Sequence, residues 1–187
     1  MKLENTMKKI SAVLCLTLLG ATTAFANPMP QEKCDMSSCK NYFAQVQKMI
    51  LPADEALAKD MLAAMMLDEN NYIEERGYSA LTYIAFSKDG SSKRDAFEYK
   101  CVSKSTVASR ESDGGPLFGT GRTVVLSKCS GVLNGQKIVI TAENGKVVKF
   151  ETALKLGIGS ADGAKYVLFK AVNPAGDVAG VGYFLGE

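Results

Sequence analysis

The chain has 187 residues, of which 22 are Lys or Arg, 20 are Asp or Glu and none is His, so its formal net charge is +2. The absence of histidine excludes Ser-His-Asp and Cys-His catalytic systems, histidine general bases and most zinc and iron sites. We therefore expect a protein that is not an enzyme and that carries neither a metal nor a cofactor.

The first 26 residues have the features of an export signal. Lys8 and Lys9 precede an apolar run of about a dozen residues, and Ala24-Phe25-Ala26 has the small-x-small pattern that signal peptidases accept. A membrane-spanning helix needs roughly 20 apolar residues, so this run is too short, and no comparable run follows. We predict a signal peptide at residues 1–26, no membrane span, and a periplasmic or extracellular location.

The remaining chain, residues 27–187, is predicted to be a single exported domain. Removal of the signal peptide takes away three lysines and one glutamate, which leaves 19 basic and 19 acidic residues. A nucleic-acid partner calls for clustered positive charge, and this balanced composition gives no support for one.

Four cysteines remain after the signal peptide, and an even number in an exported chain favours disulfides. Cys101 and Cys129 lie at equal distances from the centre of a loop near residue 115, so they face each other if the flanking strands pair. This pairing leaves Cys34 with Cys39. A redox role for the segment from Cys34 to Cys39 is the weaker alternative, because redox centres normally have two intervening residues and this segment has four.

Two amphipathic helices are predicted at the start of the domain, over residues 36–50 and 52–75. Apolar residues recur there at helical spacing. Pro52 suits the first turn of the second helix, and Gly77 suits the stop after it. The predicted buried positions are Tyr42, Val46, Met49, Ile50, Leu57, Met61, Met65 and Tyr72.

After Gly77 the apolar period changes from helical spacing to alternation, which predicts strands over about residues 78–185. Seven candidate strands are separated by short turn sequences, and short links require antiparallel neighbours. The predicted fold class is therefore α+β: two N-terminal amphipathic helices followed by a seven-stranded antiparallel meander, either a curved sheet or a partly closed barrel, stabilised by disulfides.

The turn sequences predict strand register. A two-residue turn at Asn134-Gly135 places Ile140 opposite Cys129, and a two-residue turn at Asp162-Gly163 places Leu156 opposite Phe169. For the loop around Gly145, a three-residue turn is preferred because it places Ile140 beside Val148. A three-residue loop at Pro174–Gly176 places Phe169 opposite Val181. In this register the last hairpin is apolar on both faces, so a second layer must cover it, either the N-terminal helices or a partner protein or apolar ligand.

Two segments are candidate interaction sites. The 13-residue loop between the two disulfide-bonded strands carries the apolar tip Pro116-Leu117-Phe118, and loops of this length are often functional. The second segment is the hairpin tip from Asp162 to Tyr166. Its sequence DGAKY resembles the Ser-Gly-x-x-Tyr signature of periplasmic inhibitors of c-type lysozyme, with aspartate in place of the serine. The resemblance implies that Asp162, Gly163 and Tyr166 enter the cleft of a hydrolase.

The sequence favours an exported, non-enzymatic binding or protein-interaction module whose partner is an unidentified protein or a small apolar ligand. An inhibitor of a hydrolase such as lysozyme and a carrier of a small apolar ligand are the alternatives. An interaction module predicts a specific partner without turnover. An inhibitor predicts stoichiometric inhibition of the hydrolase, and a carrier predicts a copurifying lipid.

Overall fold

The computed structural model describes residues 36–48, 52–108, 122–161 and 163–185. In these residues the chain forms two α-helices, two short 3-10 helices and nine strands. The helices are α1 (Met36–Lys48) and α2 (Pro52–Leu67), and the 3-10 helices span Glu69–Asn71 and Glu74–Arg76. The strands are β1 (Tyr72–Ile73), β2 (Tyr78–Phe86), β3 (Ser92–Ala108), β4 (Arg122–Leu133), β5 (Gln136–Glu143), β6 (Lys146–Thr152), β7 (Lys155–Ala161), β8 (Ala164–Val172) and β9 (Val178–Phe184).

The strands form one antiparallel sheet that curls into a nearly closed barrel. Their order is β6-β5-β4-β3-β2-β9-β8-β7, with the short β1 paired to β2. The last strand, β9, lies beside β2 and joins the two halves, whereas β6 and β7 are the two free edges. The α+β class and the antiparallel sheet are confirmed.

The seven-stranded meander is wrong, because the predicted fifth strand is two strands. The segment breaks at Ala153-Leu154 into β6 and β7, which lie at opposite edges of the sheet. The Leu154 amide donates to the Thr152 hydroxyl at 3.1 Å, and the Leu154 side chain is buried. A local side-chain bond to the backbone competes with strand pairing and turns the chain here.

The second helix ends earlier than predicted, at Leu67 instead of residue 75. The Asp68 carboxylate accepts from the Asn70 amide at 3.0 Å, and the Asn71 side-chain amide donates to the Met65 carbonyl at 2.8 Å. These bonds replace further helical hydrogen bonds, and the chain leaves the helix. Gly77 is the C-cap of the second 3-10 helix, Glu74–Arg76, and has φ of 65°.

The buried face of α2 also differs from the predicted one. Leu57 is exposed and Met61 and Met65 are only partly buried, and the fully buried side chains are Ala58, Leu62, Ala63 and Met66. Alanine, leucine and methionine occur on several sides of this helix, so apolar spacing alone does not identify its contact face. Tyr72, predicted to be buried, is exposed on β1.

Two cores lie on opposite faces of the sheet. Inside the barrel, α2 packs against the inward side chains Leu81, Phe97, Tyr99, Cys129, Ile138, Ile140, Leu156, Val167, Phe169 and Phe184. Outside it, α1 contributes Cys39, Tyr42, Phe43 and Val46, which cover Ile84, Phe86, Tyr166, Leu168, Val181 and Tyr183 on β2, β8 and β9. A helix therefore provides the second layer over the last hairpin.

The predicted registers hold at two turns and fail at two others. Ile140 lies opposite Cys129, and Leu156 lies opposite Phe169, as predicted. At the β5–β6 turn the connection has two residues, and a bulge sets Ile140 opposite Phe150 instead of Val148. In the last hairpin another bulge, between Ala171 and Val172, sets Phe169 opposite Gly182 and turns Val181 to the outer face. One extra residue in a strand reverses the faces beyond it.

Candidate functional site

The disulfide between Cys101 and Cys129 is confirmed and lies at the base of a projecting hairpin. The two residues are directly paired across β3 and β4, with their Cα atoms 4.0 Å apart. Cys39 is buried on α1, and Cys34, its predicted partner, lies outside the described residues.

The hairpin of β3 and β4 extends well beyond the neighbouring strands. Pairing of β2 with β3 begins at Ser79 opposite Tyr99, and pairing of β4 with β5 ends at Leu126 opposite Glu143. We call residues 100–108 of β3 and 122–130 of β4 the arm. Among the described residues, β3 is paired only with β4 along the arm, so its other edge, from Lys100 to Ala108, is free.

Several contacts hold the base of the arm to the body. The Met66 carbonyl oxygen, near the end of α2, lies 3.6 Å from Sγ of Cys101 and 3.7 Å from Sγ of Cys129. On β4, the Val125 amide donates to the Asn144 side chain at 2.9 Å, and its carbonyl accepts from the Asn144 amide at 2.8 Å. Asn144 and Gly145 both have positive φ, of 50° and 77°, which positions this turn beside β4. The arm is thus anchored at three of its residues.

Exposed apolar residues and basic residues share the arm. Val102 is 59% exposed, Val107 is 70% exposed and Leu126 is 41% exposed. Short apolar side chains at such exposure are common singly, but here Val102 and Val107 both lie on the unpaired edge of β3, and Leu126 lies opposite Lys104 on β4. The arm contains four basic residues and no Asp or Glu: Lys100, Lys104, Arg122 and Lys128. The balanced charge of the whole domain therefore conceals a strongly basic element.

The predicted tip Pro116-Leu117-Phe118 connects the two strands of the arm. These three residues lie outside the described residues, so their role in partner contact stays a prediction. The loop follows Ala108 at the end of β3 and precedes Arg122 at the start of β4, and these two residues are paired.

The second predicted segment is a hairpin tip, with one of its residues buried. Ala161 and Ala164 are paired, and Gly163 between them is exposed and has φ of 82°. Asp162 lies outside the described residues. Tyr166 is only 3% exposed, because α1 covers it.

The surroundings of Tyr166 are aromatic. Its ring centroid lies 5.2 Å from that of Tyr183, and the ring of Tyr42, on α1, lies 6.0 Å from Tyr183. Burial raises the pKa of Tyr166. Burial also raises the pKa of Tyr183, to about 12, and the nearby Tyr166 adds to this rise. A partner could contact Tyr166 directly only if α1 moved away, so the structure does not bring Gly163 and Tyr166 together on an exposed surface.

A separate open cleft lies between α2 and the β5–β6 turn. Its volume is about 640 Å³, and it is lined by Asp60, Ala64, Leu67, Asp68, Gly145, Lys146 and Val147. Two carboxylates and one ammonium group are present there, without a thiol or hydroxyl nucleophile. In the described part of the chain, no three acidic or cysteine side chains are close enough together to hold a metal ion.

The interior of the barrel is filled by protein. Leu62 and Met66 of α2, together with Phe97, Phe169 and Phe184 of the sheet, are at most 1% exposed and belong to one packed cluster. A small apolar ligand inside the sheet would have to displace this helix.

Comparisons with protein-family models, with curated proteins and with solved structures each returned no match. Across residues 36–48, 52–108, 122–161 and 163–185, neither α-helix has the length and apolar character needed to cross a membrane.

Sequence reasoning identified the loop at the end of the arm but missed the arm. The two strands flanking the loop are 17 and 12 residues long in the structure, whereas the neighbouring strands β2 and β5 have nine and eight residues. One signal of the arm was present in the sequence. The same strands lack acidic residues beyond Glu98, in a domain where acids and bases are equally numerous.

Proposed function

We propose that the protein is an exported, non-enzymatic protein-interaction module that contacts its partner through the arm. The observation that carries this proposal is the free β3 edge from Lys100 to Ala108, which continues past the end of β2 with Val102 and Val107 exposed. Unpaired edges of this length are usually protected by a short strand, a bulge or a covering element, because they pair with other chains. An unpaired edge anchored at its base is suited to recognition.

Three further observations support the proposal. The predicted signal peptide and the Cys101–Cys129 disulfide agree with an oxidising compartment outside the cytoplasm. The interior of the barrel is occupied by α2, which favours an interaction module over a carrier of an apolar ligand. The buried position of Tyr166 favours the arm over the Asp162–Tyr166 tip as the contact surface.

Site-specific photocrosslinking in cells tests the proposal. A benzophenone amino acid replaces Val102 on the arm in one full-length variant and Tyr72 on β1 in another, because both native side chains are more than half exposed. We expect a discrete protein adduct from position 102 and none from position 72. Equal labelling at both positions, or no adduct at 102, would contradict the proposal.

A further inference from the structure

We propose that the free edge of β3, residues 100–108, binds an extended acidic segment of another protein as an added antiparallel or parallel strand. This inference rests on the proposed function and names the chemistry of the partner.

Along the arm, one edge of β3 has no neighbouring strand among the described residues. In a sheet, each strand pairs on two sides, and β3 has β2 on one side only as far as Tyr99. From Lys100 to Ala108 the described residues offer it no second partner, although the strand stays paired with β4 throughout. Outward-facing amides and carbonyls along nine residues match the length of a bound peptide strand in β-augmentation.

Basic side chains lie beside that edge. Lys100, Val102 and Lys104 alternate along one face, and Lys128 lies opposite Val102 on β4. An added strand places its own alternate side chains next to this row. Acidic residues opposite the two lysines and an apolar residue opposite Val102 would complement the row.

The same lysines argue against a second copy as the occupant. If two arms paired edge to edge through β3, each edge would bring Lys100 and Lys104 and no acidic residue to the contact. Like charges directly opposite each other on neighbouring strands are destabilising, and lysine on an edge is a common means of preventing self-association. The edge therefore disfavours its own copy and favours an acidic strand.

Binding of a designed peptide to the mature chain provides the test. The probe is the acetylated and amidated peptide Thr-Val-Thr-Thr-Glu-Thr-Val-Thr-Glu, whose antiparallel register sets glutamates opposite Lys104 and Lys100. One control peptide has lysine at both glutamate positions. A second keeps the glutamates but has proline at positions three and six, which removes strand hydrogen bonds on both sides of the peptide.

Calorimetric titration and amide hydrogen exchange are the measurements. We expect the acidic peptide to bind and to slow exchange at residues 100–108, while both control peptides bind at least tenfold more weakly. Lys104→Glu should weaken binding of the acidic peptide about fivefold, as expected for reversing one cross-strand charge pair. Lys137→Glu, on β5 away from the arm, should leave it unchanged.

Three results would overturn the inference. Equal binding of the proline peptide would indicate unspecific attraction of a polyanion. Unchanged hydrogen exchange at residues 100–108 in the complex would show that the peptide binds elsewhere, and slow exchange there before peptide is added would indicate an edge that is already covered. The crosslinking experiment separates this failure from failure of the proposed function. If the adduct at position 102 persists unchanged in the Lys104→Glu variant, the arm binds a partner by another chemistry.

Discussion

Gly182 occupies a position on β9 where the body of the protein leaves no room for a side chain. A Cβ atom there would collide with the Ile84 carbonyl oxygen of β2 and with the Phe169 ring of β8. A backbone carbonyl in a paired strand moves only if the pairing of β2 with β9 changes. This residue therefore permits the close contact that joins the two halves of the sheet.

We expect Gly182→Ala to lower the free energy of unfolding by about 2 kcal/mol or more, as for overpacked cores. Gly180→Ala is the matched control two residues away, because its added methyl group meets only the end of the Asn134 side chain, at 3.2 Å. Urea unfolding of both variants measures the difference. Equal losses in the two variants would show that the β2–β9 contact tolerates an added methyl group.

Tyr99 is a buried tyrosine whose ionisation couples stability to alkaline pH. It is 2% exposed, and burial raises its pKa to about 12, partly offset by the nearby Ser79 side chain. The Ser79 hydroxyl does not form a hydrogen bond of standard geometry with it, so the Tyr99 hydroxyl is buried without a partner. In the unfolded chain the pKa of tyrosine is about 10.

Because the folded pKa is the higher one, the contribution of Tyr99 to stability is complete below pH 10 and is lost as the pH rises towards 12. We expect Tyr99→Phe to be neutral or slightly stabilising at pH 9, since it removes an unpaired buried hydroxyl. Between pH 9 and pH 11 the wild type should lose about 1 kcal/mol more than the variant. Urea unfolding at the two pH values measures this, and parallel losses would contradict it.

At the scale of elements, the arm depends on its covalent and polar base. The Cys101–Cys129 bond closes a chain segment with a sequence separation of 28 residues, and the next pair on the same face, Ser103 and Ser127, shares a hydrogen bond of 2.9 Å. The disulfide stabilises the fold because it restricts the unfolded chain. The exposed hydroxyl pair contributes less, because unfolding replaces its hydrogen bond by hydrogen bonds to water.

We expect the double variant Cys101→Ala with Cys129→Ala to lose about 3 to 4 kcal/mol of unfolding free energy in the chain-entropy account. The control variant, Ser103→Ala with Ser127→Ala, should lose less than about 1 kcal/mol. Chemical denaturation of the two double variants provides the comparison. If they lost similar amounts, the disulfide would not be the main stabilising bond at the base of the arm.

The strand register was predictable where the turn residues alone determine it. It was not predictable where a bulge lies in one of the paired strands. Asn134-Gly135 requires a two-residue turn of positive φ, and it set the register that brings Ile140 opposite Cys129. The extra residues near Val148 and Ala179 cannot be read from alternation, because Val148 is apolar yet exposed and Ala179 suits either face. The bulge in the last hairpin reversed the side chains beyond it.

The candidate site was predicted only in part for a similar reason. The loop containing Phe118 has a clear local signal, an apolar tip between glycines. The free edge that carries the loop depends on how far β2 and β5 extend alongside β3 and β4, which is a property of the assembled sheet. Burial of Tyr166 likewise depends on α1, an element more than 100 residues away in sequence.

The two helices have different structural roles. Helix α1 covers the outer face of β2, β8 and β9, while the outer face of β3 to β6 has no helix over it among the described residues. One face of helix α2 packs on the inner core, and the helix contacts both free edges, β6 and β7, as well as β2 and β8. A sheet that does not close by strand pairing is thus held together by one helix that contacts both of its edges.

This arrangement predicts unequal sensitivity along α2. Leu62 is fully buried in the inner core, whereas Leu57, five residues earlier on the same helix, is 47% exposed. We expect Leu62→Ala to cost about 2 to 5 kcal/mol, because it removes contacts to the interior of the barrel and leaves a cavity. Leu57→Ala should cost less than about 1 kcal/mol.

Urea unfolding followed by far-ultraviolet and near-ultraviolet circular dichroism measures both variants and the cooperativity of the transition. If α2 holds the two edges together, the helix undocks and the aromatic packing around Phe169 and Phe184 is lost in a single unfolding transition. Separate transitions in the wild type would show that the sheet keeps its packing without the helix. Equal costs for Leu62→Ala and Leu57→Ala would show that α2 does not dock through the buried face described above.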